Sequence, residues 1–155
     1  MGEGIKLIGT YRFEKIKNGV VIEAQEYHNT VMTALKESIL KFMNCAEEDP
    51  APTCSIIDVQ YIATGDDDTA VTVGDVALGN ERFRKIYTQK SRSGNAFTAI
   101  AVLAADESNF TIKEVGIFAG GSATADSGTL LSRALVNVEK NSNIEINIYY
   151  RLELV

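Results

Sequence analysis

Ile144-Glu145-Ile146-Asn147-Ile148-Tyr149-Tyr150-Arg151-Leu152-Glu153-Leu154 is the most legible stretch of the chain. Apolar residues hold positions 144, 146, 148, 150, 152 and 154, and Glu145, Asn147, Tyr149, Arg151 and Glu153 stand between them. Side chains of an extended backbone alternate between two faces, so this pattern predicts a strand with one face for a core and one for water or a partner. At ~3.3 Å per residue such a strand spans ~35 Å.

Working outward, the opening segment carries the same period, with Ile5, Leu7, Gly9, Tyr11 and Phe13 on one face. Asn18-Gly19 follows, the residue pair that a tight hairpin turn favours because both central positions need positive φ. Val20, Val21, Ile22 and Ala24 form the return strand, so a hairpin is expected over about 5–27. Asn29 or Thr30 is placed to cap a helix, and behind it Met32, Leu35, Ile39 and Phe42, joined by Met43, make one apolar stripe ending near Asn44. This helix is expected to pack on a sheet, with its Met and Phe positions in the core. Pro50 and Pro52 exclude regular structure from the acidic linker that follows.

Further strands are expected over 54–64, with Ile57, Val59, Tyr61 and Ala63 on one face, and over 81–90, with Phe83 and Tyr87 on one face and Ile86 on the other. Residues 96–105 are apolar on both faces, as in a central buried strand. Strands over 110–119 and 129–139 flank a glycine-rich surface loop. Thr69 to Asn80 reads as loop, and Arg92-Ser93-Gly94-Asn95 and Asp106-Glu107-Ser108-Asn109 as turns. The fold class is therefore mainly β, an antiparallel β-sandwich with one α-helix near the N-terminus. The 155 residues suit one domain, 1–155, with no repeat and no low-complexity tail.

Composition narrows the function. Apolar residues make up 45% and charged residues 23%, as in soluble globular proteins. The net charge of -6 argues against nucleic-acid binding, which needs a basic face, and against anionic membrane surfaces. No apolar run is long enough for a membrane-spanning helix. The start Met1-Gly2-Glu3-Gly4-Ile5-Lys6 lacks the features of a signal peptide, so cytoplasmic synthesis without export by that route is expected.

Visible chemistry is sparse. The single histidine, His28, has no second His to build a zinc site or a nucleophile–base pair with, and reads as structural or surface. Cys45 and Cys54 match neither CxxC nor a zinc spacing; cytoplasmic synthesis favours free thiols over a bridge. Asp66-Asp67-Asp68 lacks the alternating ligands of an EF-hand and reads as a solvated turn. Gly116, Gly120-Gly121 and Gly128 form no phosphate-binding loop, and the run 120–128 reads as a flexible surface loop. No enzyme activity, metal or cofactor is expected.

Several segments, taken in order, resemble the tail-fibre or tail-collar N-terminal domain family of bacteriophages. These are the hairpin ending in His28-Asn29 with a helix behind it, a strand ending in Ala63-Thr64-Gly65, and Asp75-Val76-Ala77-Leu78-Gly79-Asn80-Glu81-Arg82-Phe83-Arg84. Ile112-Lys113-Glu114-Val115-Gly116-Ile117-Phe118, Gly128-Thr129-Leu130-Leu131-Ser132-Arg133 and a long closing strand follow. The glycine that members often carry early in the helix is absent from 30–40, and Tyr149-Tyr150 stands where a Trp is common.

Glu81, Arg84, Glu114 and Arg133 lie on or beside predicted strands. Charges there either face solvent, or Glu114 pairs with Arg84 or Arg133 at a sheet edge or subunit contact, with Gly116 allowing close backbone approach. Tyr149, between Asn147 and Arg151, is either an interface residue or an ordinary sheet residue. The resemblance implies a structural virion protein, synthesised in the bacterial host cytoplasm. It would be a tail, collar or baseplate-associated connector meeting itself, as a trimer or a ring in multiples of three, and other virion proteins. A phage head decoration protein and a carbohydrate-binding β-sandwich are the alternatives; the absence of Trp weighs against the second. With strand structure from Ile5 to the end, a stand-alone copy is expected to act as a connector, cap or decoration.

Overall fold

The computed structural model describes residues 6–43 and 58–155, with side chains for all of these except 41–43. Ten strands and one helix follow in the order β1 (Leu7–Lys17), β2 (Val20–His28), β3 (Thr30–Val31), α1 (Thr33–Met43), β4 (Val59–Gly65), β5 (Glu81–Ile86), β6 (Gln89–Ser93), β7 (Ala96–Leu103), β8 (Thr111–Ala119), β9 (Thr129–Glu139) and β10 (Glu145–Leu154). They form two antiparallel five-stranded sheets, β2-β1-β10-β7-β6 and β3-β9-β8-β4-β5. This is the expected β-sandwich with one helix.

The closing strand organises the first sheet. β10 pairs with β1 from Leu154 opposite Leu7 to Glu145 opposite Ile16, and with β7 on its other side. Its alternation marks the core as expected, since Ile146, Ile148 and Tyr150 are fully buried. They meet Tyr11 and Phe13 of β1, Ala99, Ala101 and Leu103 of β7 and, from the second sheet, Ile62, Ile112, Val115, Ile117 and Leu131. The hairpin turns at Asn18 and Gly19, with φ of 52° and 76°, as the paired positive-φ requirement dictates.

Several elements differ from the expectations. Thr30–Val31 is a short strand on β9, so neither Asn29 nor Thr30 caps the helix. The Thr33 amide instead donates to the carbonyl of Val73 at 2.9 Å. Leu35 and Ile39 of α1 do pack against the main core, beside β9. A register slip between Val59 and Tyr61 turns Val59 into the main core while Tyr61 and Ala63 face away from it.

Residues 81–90 are two strands in different sheets. The chain crosses between them at Tyr87, whose amide reaches Gln60 of β4, and Thr88, whose amide reaches Ile100 of β7. Phe83 and Tyr87 both enter the core, and Ile86 stays exposed. β7 is buried on its inner face only, and β6 continues to Ser93 so that the turn is Gly94-Asn95. The acidic linker, Cys45, Cys54 and the expected strand residues 54–57 lie outside the described residues.

Candidate functional site

The outer face of the second sheet is built over. Residues 66–80 fold across it as a loop, and beneath them Met32, Ala63, Leu78, Phe118 and Leu130 form a second buried apolar cluster. Two polar joints lie on this face.

The first joint centres on Glu114, which is 0% exposed. Its carboxylate accepts from the amides of Gly79 (2.9 Å) and Asn80 (2.7 Å) and from Nε of Arg133 (2.9 Å). Arg133, itself buried, donates onward to Asp75 at 2.8 Å and to the Thr69 carbonyl at 3.2 Å. One ion pair thus holds both ends of the loop to β8 and β9. Glycine is required around it. A Cβ on Gly65 would collide with the Asn80 carbonyl and the Glu114 carboxylate, and one on Gly79 with Asp67. Gly116, by contrast, leaves room for Leu78 and Leu130 rather than for the ion pair.

The electrostatics favour the charged forms. Burial alone raises the Asp75 carboxyl, but hydrogen bonds from Thr72 and Arg133 outweigh it and hold it below the usual carboxylate range. Burial likewise lowers Arg133, and Asp75 and Glu114 outweigh it, so the guanidinium stays charged.

The second joint is the pair Glu81 and Arg84, whose side chains are 1% and 3% exposed. Arg84 donates from Nε and Nη2 to the two carboxylate oxygens of Glu81, the bidentate geometry that fixes direction as well as charge. Its Nη1 donates to the Ser127 carbonyl at 2.8 Å and the Ser122 carbonyl at 3.1 Å, and its guanidinium carbon lies 4.6 Å from the centre of the Phe118 ring. Glu81 also accepts from the Asp126 amide. The glycine-rich loop 120–128 is therefore tied down at its base, not loose as its composition suggested.

Each of the three adjacent aspartates meets a different cation: Asp66 pairs with Arg82, Asp67 lies 3.7 Å from Arg133, and Asp68 lies 3.0 Å from Lys113. The run is irregular loop rather than the expected turn, and each carboxylate has a cation beside it, although Asp68 stays largely solvated. Among the described residues no group of three or more His, Cys, Asp and Glu side chains is placed to hold a metal ion.

Four of the five singled-out residues thus meet two by two: Glu114 pairs with Arg133, not Arg84, and Arg84 pairs with Glu81. None of the four faces open solvent. Tyr149 lies apart, half-buried on the outer face of the first sheet beside Arg12 and Ile100. His28 is exposed at the end of β2. Sequence reasoning missed the Ser127 carbonyl and the amides of Gly79 and Asn80, because backbone groups leave no residue-type signature, and Asp75, because its partner Arg133 is 58 positions away.

It also missed a polar set between the sheets. Tyr11 Oη lies 2.7 Å from Ser132 Oγ, and Asn29, Tyr87 and Tyr150 are buried nearby. Burial pushes the Tyr150 phenol up to about 12. No family model, characterised protein or solved structure matches the chain.

Proposed function

We propose that the protein is a structural component of a bacteriophage virion, a tail, collar or baseplate-associated module that acts through protein–protein contacts. The observation that carries this reading is a convergence. Four of the segments that resemble the tail-collar family, those holding Gly65, Glu81, Glu114 and Arg133, meet on one face of the second sheet, while the hairpin and the closing strand build the first. Gly65, Gly79, Asn80, Glu114 and Arg133 make one joint there, and Glu81, Arg84 and the 120–128 loop make the other.

Each of these residues has a physical reason for its type and spacing. Their side chains are also fully used in holding loops in place, which suits a module whose output is a fixed surface rather than a reaction. Immunogold imaging of purified virions with an antibody to this protein tests the reading. Label on the tail supports it, label on the capsid replaces it with a head decoration role, and absence from virions rejects both. Specific glycan binding by the isolated protein would favour the carbohydrate-binding alternative instead.

A further inference from the structure

The edges of a sheet present unpaired N–H and C=O groups, and proteins guard them by shortness, charge, proline or bulges. The edges here are guarded unequally. β3 has two residues, β5 carries Arg82, Arg84 and Lys85, and β6 carries Lys90 and Arg92. The part of β9 beyond β3 is closed by Tyr27, whose hydroxyl bonds the amide and carbonyl of Asn137. β2 is nine residues long with no Lys, Arg or Pro, and its Val20, Val21 and Ile22 are 62, 50 and 53% exposed. Its guards are two carboxylates, Glu23 and Glu26, and the register slip near Ile22, and neither covers its exposed apolar tip.

Among the described residues, β2 and β6 are the two outer strands of the first sheet. Four antiparallel steps separate them, so they run in the same direction. Along that direction their side chains complement each other. On β2 the exposed apolar tip comes first and Glu23 follows; on the opposite side of the molecule Ile86, 61% exposed, comes first and Lys90 and Arg92 follow.

The charges also lie on the same face. Glu23 sits opposite Lys15 on the face of Phe13, and Lys90 and Arg92 sit opposite Ala99 and Phe97, which face the core. Glu23 bonds Lys15 and Lys90 bonds Asp58, yet their side chains remain 41% and 39% exposed, with acceptor and donor capacity to spare. Arg92 makes no salt bridge among the described residues.

We propose that β2 of one copy pairs in parallel with β6 of a second copy, continuing the first sheet from subunit to subunit. Residues 22–26 match the five residues of β6 in length. Glu23 and Gln25 then lie beside Lys90 and Arg92, and the hairpin tip approaches Ile86. Ile22, Ala24 and Glu26 fall beside Gln89, Ser91 and Ser93, so no like charges meet. The two edges differ, so the contact is heterologous, and repetition closes a ring or extends a filament. The virion assignment does not enter this argument, and either can fail without the other.

Sedimentation velocity of the full chain over a concentration series tests it. The wild type should exceed one chain's mass as concentration rises. Glu23→Lys and Lys90→Glu should each weaken association at least tenfold, and both changes in one chain should restore it. Amide exchange on the wild type, dilute against concentrated, gives a readout that needs no variant. Protection should be gained in β2 and β6 together. A monomer at every concentration, association indifferent to both reversals, a double variant no better than the singles, or protection gained on the Tyr149 face instead would overturn the proposal.

Discussion

Glu114 shows how much a single buried charge can organise. Its carboxylate satisfies two loop amides and Arg133 at once, so removing it leaves a buried cation and two donors without their acceptor. Glu114→Ala should lower the unfolding free energy by about 3–5 kcal/mol, as breaking a buried pair does, read from urea denaturation. Gly65→Ala tests the same joint from the other side. The added methyl meets the Asn80 carbonyl, which the loop holds in place, and should cost about 1–3 kcal/mol as overpacking. Asp75 gives the pH dependence. Its folded pKa is depressed, so the stability it adds is complete above its unfolded value of ~3.9 and is lost as pH falls through the lower folded value. Thermal unfolding followed from pH 6 downward should therefore show a shallower acid decline for Asp75→Asn than for the wild type, with the difference confined below about pH 4.

Within elements, the period of the side chains decided what could be read. In β10 and β1 the alternation marks the core over Ile146–Tyr150 and Gly9–Phe13, and it fades toward the strand ends, where Leu154 is exposed and Lys15 takes an inward place. Substitutions along β10 should follow that order. Ile148→Asp, at a fully buried position, should abolish folding; Leu152→Asp, at a partly buried one, should strongly lower the melting temperature; Arg151→Asp, on the exposed face, should change it least. Equal shifts for the three would mean that the alternation does not mark the core. Where a strand slips register the period misleads, because one extra residue moves every later side chain to the other face. That is why Val59 was grouped with Tyr61 and Ala63. The slip between Ile117 and Phe118, opposite Ser132 and Leu130, similarly lets Leu131 and Ser132 both serve the interior while Arg133 turns outward to Glu114.

At the scale of the whole molecule the two faces have different fates. The second sheet is covered by the 66–80 loop and braced by two ion-pair joints, whereas among the described residues the first sheet's outer face carries no such layer. Amide exchange of the dilute protein should reflect this. Protection should be greatest in β1, β8 and β10, which pair on both sides along most of their length, and least in the outer strand β6, whose five residues are all exposed. Rapid exchange in β8 would contradict the bracing role given to Glu114 and Arg133.

Fold class, the hairpin, the helix and most strands were determined by the sequence alone, because burial on one face of a strand or helix writes a local period into the chain. The two-way meeting of Glu81 with Arg84 and Glu114 with Arg133 was only partly legible: the residues stood out by type, but partners 19 positions apart in β8 and β9 are chosen by strand register. The splitting of residues 81–90 between two sheets was decided by tertiary structure, since the break at Tyr87 depends on a ring entering a core that other strands build. So was the bracing of the 66–80 and 120–128 loops, because backbone amides and carbonyls, which do the holding there, are the same in every residue and acquire meaning only from what the fold sets against them.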